Sequence, residues 1–90
     1  MRLARRYFIS GRVQGVGFRV FTWTAATSEG LHGWVRNLPD GRVEISAEGE
    51  AEALWRFERR VRQGPPGAKV DSVDATEEGA SGSDTGFLMR

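Results

Sequence analysis

The sequence predicts an α+β domain, with two helices packed on one face of an antiparallel sheet in the order strand, helix, strand, strand, helix, strand. Three observations carry this expectation. A glycine-rich stretch, GRVQGVGFRV (Gly11–Val20), joins a strand-like run to a helix-length run. The segment Gly41–Gly49 alternates apolar and polar residues with a period of two. Finally, Glu50–Gln63 repeats apolar residues at helical spacing.

Leu3–Val13 reads as the first strand, because Tyr7, Ile9 and Val13 share one parity while Ser10 and Arg12 take the other. Arg19–Glu29 is long enough for three helical turns, and Gly30 stands where a left-handed glycine would stop them. The threonines and Trp23 are poor helix formers, so propensity alone leaves this helix undecided and its stability in question. Leu31–Asn37 and Gly41–Gly49 read as strands joined by LPDG, with Pro39 and Gly41 as turn formers. In the second of these, Val43, Ile45 and Ala47 predict a dry face, and Arg42, Glu44, Ser46 and Glu48 a wet one.

In Glu50–Gln63, Leu54, Phe57 and Val61 form an apolar stripe. Glu50 and Glu52 near its start and Arg59, Arg60 and Arg62 near its end suit the helix dipole, so RRVR reads as a solvated helix end rather than a binding patch. Glu52 with Arg56, and Glu58 with Arg62, are spaced to form ion pairs along the helix. GPPG ends it. AKVDSVDAT supplies a further strand and TGFLMR a last short one, with EEGASGSD as a polar, mobile connection. No linker or repeat divides residues 1–90, so a single domain is expected. The order is that of the split βαβ or ferredoxin-like arrangement, which hosts many unrelated functions; function has to come from the site.

With 39% apolar and 28% charged residues, the composition is that of a globular protein. A net charge of +1, from 13 basic and 12 acidic side chains, lacks the basic excess of a domain that lives on nucleic acid phosphates. The absence of cysteine excludes a disulfide frame, a thiolate nucleophile and a zinc site built on sulfur. The basic start MRLARRYFIS leads into no long apolar run, and no stretch nears the ~20 apolar residues of a membrane helix. No signal peptide or membrane association is expected, and a cytoplasmic protein is the default.

The chemistry concentrates in the glycine turn. Gly15 and Gly17 can take positive φ, which lets successive backbone N–H groups converge, and the free N–H groups of the following helix point into the same space. The N–H groups of Gln14, Gly15, Val16, Gly17 and Phe18, with the guanidinium of Arg19, would make an anion cradle of phosphoryl size. On spacing alone a plain tight turn with Arg19 in solvent is equally compatible. The stretch lacks the Lys-Ser/Thr of a P-loop and breaks the glycine spacing of the dinucleotide fingerprint. Asn37, before LPDG, is either a local turn former or an amide aimed by its strand. His32, the only histidine, starts a strand and reads as a surface or sheet residue rather than a base. Trp23, Trp34, Trp55 and the phenylalanines read as packing residues, with Phe18 anchoring the turn in the core.

GRVQGVGFR, followed by GLHGWVRNLPDGRVEI and GPPGAKV, resembles the acylphosphatase family from about Tyr7 to the closing FLMR. The resemblance implies the ferredoxin-like fold and a small free-standing enzyme that hydrolyses acyl phosphates to a carboxylate and inorganic phosphate. It further implies that Arg19 and the turn's N–H groups hold the phosphoryl group while Asn37 positions the attacking water, without metal or cofactor. The residues agree with that chemistry. No carboxylate cluster lies beside the turn, and neither Cys, Ser nor Asp is offered there as a nucleophile. A carboxylate also departs without a proton, so no general acid is required.

The expected partner is a small-molecule acyl phosphate, with no nucleic acid and no membrane, and nothing demands more than a monomer. Two alternatives stand beside this. Acylphosphatase-like domains also occur within larger carbamoyl-transfer proteins, so a non-catalytic phosphate-binding module is one; the length, and the presence of both Arg19 and Asn37, favour the free-standing enzyme. An RRM-like RNA-binding domain is the other, because GVGFRVF echoes the RNP1 pattern. That echo falls on a strand-to-helix turn, not on a central strand, and Gly41–Gly49 turns no aromatic outward.

Overall fold

In the computed structural model, which describes Met1–Arg90, seven elements follow one another: β1 (Arg2–Arg12), α1 (Phe18–Ser28), β2 (His32–Asn37), β3 (Val43–Glu50), α2 (Ala51–Gln63), β4 (Lys69–Glu78) and β5 (Phe87–Met89). The strands form one sheet in the order β4-β1-β3-β2-β5. The first four pair antiparallel, as the α+β ferredoxin-like expectation requires. The fifth departs from it. β5 runs parallel to β2, with Gly33 opposite Phe87 and Val35 opposite Met89, so the sheet is mixed. β5 has no hairpin to set its direction; the long return from β4 does so instead.

Tyr7 and Ile9 of β1, Val35 of β2, and Val43, Ile45 and Ala47 of β3 turn toward the helices. They meet Phe18, Ala25 and Ala26 of α1 and Leu54, Phe57 and Val61 of α2 in one core of 16 residues. The α2 stripe is wholly buried, which stabilises the fold by about 1.5–3 kcal/mol per side chain. Tertiary packing overrides the weak propensity of α1, which buries Phe18, Thr22, Ala25 and Ala26 along one side. Gly30, at φ +69°, stops it: its N–H donates to Thr27 O at 3.1 Å and that of Leu31 to Ala26 O at 2.9 Å, a Schellman motif.

The outward face of the sheet differs from the expected wet surface. Glu44 and Glu48 are only 3% and 7% exposed. Glu44 is clamped by Arg6 at 2.8 Å and Arg36 at 2.7 Å. Glu48 accepts from Arg2, from the N–H and hydroxyl of Ser81, and from the N–H of Gly82 at 2.7–2.9 Å. Alternation marks these glutamates as polar, but the arginines and loop that cover them come from distant parts of the chain. The same bonds correct the reading of EEGASGSD: Glu77 and Glu78 extend β4, and Ser81 and Gly82 are anchored on Glu48 rather than loose.

Glu58 does pair with Arg62 at 3.2 Å, but Arg56 pairs with Glu29 of the α1 C-cap at 2.9 Å instead of with Glu52. Trp23 and Trp55 stay 38% and 43% exposed and are not core residues. Trp23 donates its indole N–H to Phe87 O at 3.0 Å, and Trp55 carries the Arg5 guanidinium at 5.2 Å. No helix is long and apolar enough to cross a membrane.

Candidate active site

The connection from β1 to α1 is short because Gly15 and Gly17 take φ of 73° and 78°, a left-handed region that side chains with a Cβ rarely occupy. Gly17 caps the helix in that conformation, and no side chain caps the free N–H groups of the first turn. None of the N–H groups from Gln14 to Val20 finds an acceptor in the protein. No acidic residue lies in that first turn either. The end of α1 therefore presents unpaired donors and the positive pole of the helix dipole, the combination that suits an anion.

Beside it lies a hollow of about 140 Å³ lined by Val13, Gln14, Gly15, Gly17, Phe18, Arg19, Val20 and Asn37. A cavity of about 150 Å³ holds benzene, so a phosphoryl group has ample room. Six of the seven residues expected in the site, Gln14, Gly15, Gly17, Phe18, Arg19 and Asn37, meet here. Val16 is the exception: its side chain packs against the core and does not line the hollow. Phe18 is buried as the anchor of the turn.

Arg19 is exposed, and its Nη1 donates to the main-chain oxygen of Arg90 at 2.9 Å. No other protein acceptor takes its N–H groups, so one arm of the fork is fixed and the rest stay available. Asn37 closes β2 opposite Val43 of β3, and its side-chain amide makes no hydrogen bond with the protein. A rigid strand end thus holds an unengaged amide at the rim of the hollow. No lining residue is a carboxylate, imidazole or thiol.

His32 lies elsewhere. It borders a second hollow on the outward face, where its Nδ1 accepts the N–H of Gly86 at 2.9 Å. That bond fixes the ring against β5, in keeping with the sheet position expected of it. Two contributors were not legible in the local sequence: Arg90, which steadies Arg19 across 71 positions, and the side chain of Gln14, which donates to Leu38 O and Arg42 O. Neither follows a local motif.

The acylphosphatase family model matches residues 5–89. An acylphosphatase of Rubrobacter xylanophilus is 53% identical over 85 residues, 94% of this chain and 77% of its own length. One from Roseiflexus sp. is 47% identical over 90 residues, covering 99% of this chain and 97% of that protein. The crystal structure of the acylphosphatase from Bacillus subtilis superposes with a TM-score of 0.94 at 43% identity, over 98% of each chain. With the fold, the glycine turn and these relatives in agreement over nearly its full length, the chain belongs to the acylphosphatase family.

Proposed function

We propose that the protein is an acylphosphatase that hydrolyses acyl phosphates by direct attack of water, with the N–H groups of Gln14–Phe18 and the Arg19 guanidinium as its phosphoryl cradle. Its relatives carry the acylphosphatase name over most of the chain. The observation that carries the residue assignment is the shared hollow: donors from the turn, the fork of Arg19 and the amide of Asn37 line one space, although they come from separate elements.

In this reading the cradle binds the phosphoryl oxygens and matches the charge that spreads over them in a loose transition state. Asn37 orients a water whose oxygen forms a bond to phosphorus as the bond to the acyl oxygen breaks. The carboxylate leaves with the electron pair, and both hydrogens of the water stay with the phosphate, which departs as dihydrogen phosphate. Because a carboxylate with a pKa of about 4 is stable unprotonated near neutrality, the step needs no general acid. Positioning and electrostatics supply the catalysis, and the side chains lining the hollow are suited to both.

One chain furnishes every residue of the hollow, so the reading asks for a monomer and a single domain. A cysteine-free chain needs no oxidising compartment, which suits the cytoplasm. Nucleic acid is not part of the reading, because the outward rings are already covered. Trp34 stacks with Arg6, Arg36 and Arg90 at 4.8–5.3 Å, and Phe8 with Arg42 at 4.9 Å, so the outward rings of the sheet are already engaged within the protein. The deciding assay compares benzoyl phosphate with p-nitrophenyl phosphate, each with and without chelator. Hydrolysis of the first alone, unchanged by chelator, is expected; activity that vanishes with chelator, or equal rates on both, would refute the mechanism.

A further inference from the structure

We propose that Gln14 is a positioning residue, whose side chain sets the separation between the phosphoryl cradle and Asn37. This rests on the reading in which Asn37 orients the attacking water. The Nε2 group of Gln14 uses both of its hydrogens: it donates to Leu38 O at 2.8 Å and to Arg42 O at 2.9 Å. Those two carbonyls flank the β2–β3 turn at its base, where Leu38 N–H also donates to Arg42 O at 2.8 Å and Gly41 N–H to Leu38 O at 3.1 Å. Leu38 follows Asn37 directly in the chain, and Gln14 leads directly into Gly15. One side-chain amide therefore spans from the first residue of the cradle to the strand end that carries Asn37.

No other hydrogen bond runs between the glycine turn and the β2–β3 connection. The tether is short and doubly anchored, so it fixes direction as well as distance. Gly15 and Gly17 make the turn itself permissive, and without the tether the cradle would drift relative to Asn37 while its own donors stayed intact. Gln14 would thus act on the alignment of water with phosphorus and hardly at all on the grip on phosphate.

The test is steady-state kinetics on benzoyl phosphate, with inorganic phosphate as inhibitor, for Gln14→Ala, Asn37→Ala and the double variant. For Gln14→Ala, kcat is expected to fall about 10- to 100-fold, the scale of a displacement near 1 Å, while the inhibition constant for phosphate stays within about 2-fold. In the Asn37→Ala background the same change is expected to cost no more than about 2- to 3-fold, since the two groups act as a unit. An unchanged kcat for Gln14→Ala, a matching loss of phosphate affinity, or a fully additive loss in the double variant overturns the proposal. Full turnover by Asn37→Ala would instead remove the reading beneath it. Gln14→Met keeps the length of the side chain without its donors; it carries the same expectations and decides the matter if the alanine variant does not fold.

Discussion

In the proposed reading, Arg19 needs little from the rest of the protein to serve as a phosphate ligand. A single hydrogen bond to Arg90 O steadies it, and its remaining N–H groups face solvent and the hollow beside unpaired backbone donors. Replacing it with alanine removes the permanent charge and the planar fork together. Arg19→Ala is expected to lose inhibition by inorganic phosphate and about 10²–10³-fold in kcat/KM on benzoyl phosphate, the scale for deleting one transition-state donor. A variant that keeps normal inhibition by phosphate would show that the backbone alone holds the group. At this scale the site was half legible. Gly15 and Gly17 mark the turn because their geometry is local, while the role expected of Arg19 comes from the family resemblance. Arg90 and the Gln14 amide are not legible, because their partners are set by the folded sheet and not by neighbours in sequence.

Among the elements, α2 was the most legible, since Leu54, Phe57 and Val61 need only helical spacing to find the core. β3 is legible on its apolar face and not on the other. Glu44 and Glu48 look like solvent residues until Arg6, Arg36, Arg2 and the Ser81–Gly82 loop are brought over them by pairings no local pattern encodes. Burial pushes the Glu48 carboxyl up. Against that, the Ser81 N–H, the Arg2 guanidinium, the Ser81 hydroxyl and the Gly82 N–H together bring it down, from an ordinary value of 4.5 to about 2. The unfolded chain therefore takes up its proton at a higher pH than the folded one. The stability that Glu48 contributes is full above about pH 4.5 and is lost as the pH falls toward about 2. Thermal unfolding across that window is expected to be less pH-dependent in Glu48→Gln than in the native protein; equal slopes would mean that the carboxylate is not held as described. β5 was legible as a short strand, but its parallel pairing was not, because three residues without a hairpin leave direction open.

On the scale of the molecule, the sheet brings separate local facts to one end. The β1–α1 turn and the end of β2 meet there because β1 and β2 flank β3, and Arg90 reaches Arg19 because β5 lies against β2. The fold itself was readable from the order of its elements, and the meeting of Asn37 with the turn follows from that order once it is folded. The central claim is that this junction, and no other part of the surface, holds the phosphoryl group. Amide-resolved NMR during a titration with inorganic phosphate reads the whole chain at once. The largest shifts are expected at the N–H groups of Gln14–Val20, and they should collapse in Arg19→Ala. Shifts centred on the outward face near Trp34 and Ser46, or amides of the turn that stay still at a phosphate concentration that inhibits turnover, would contradict it.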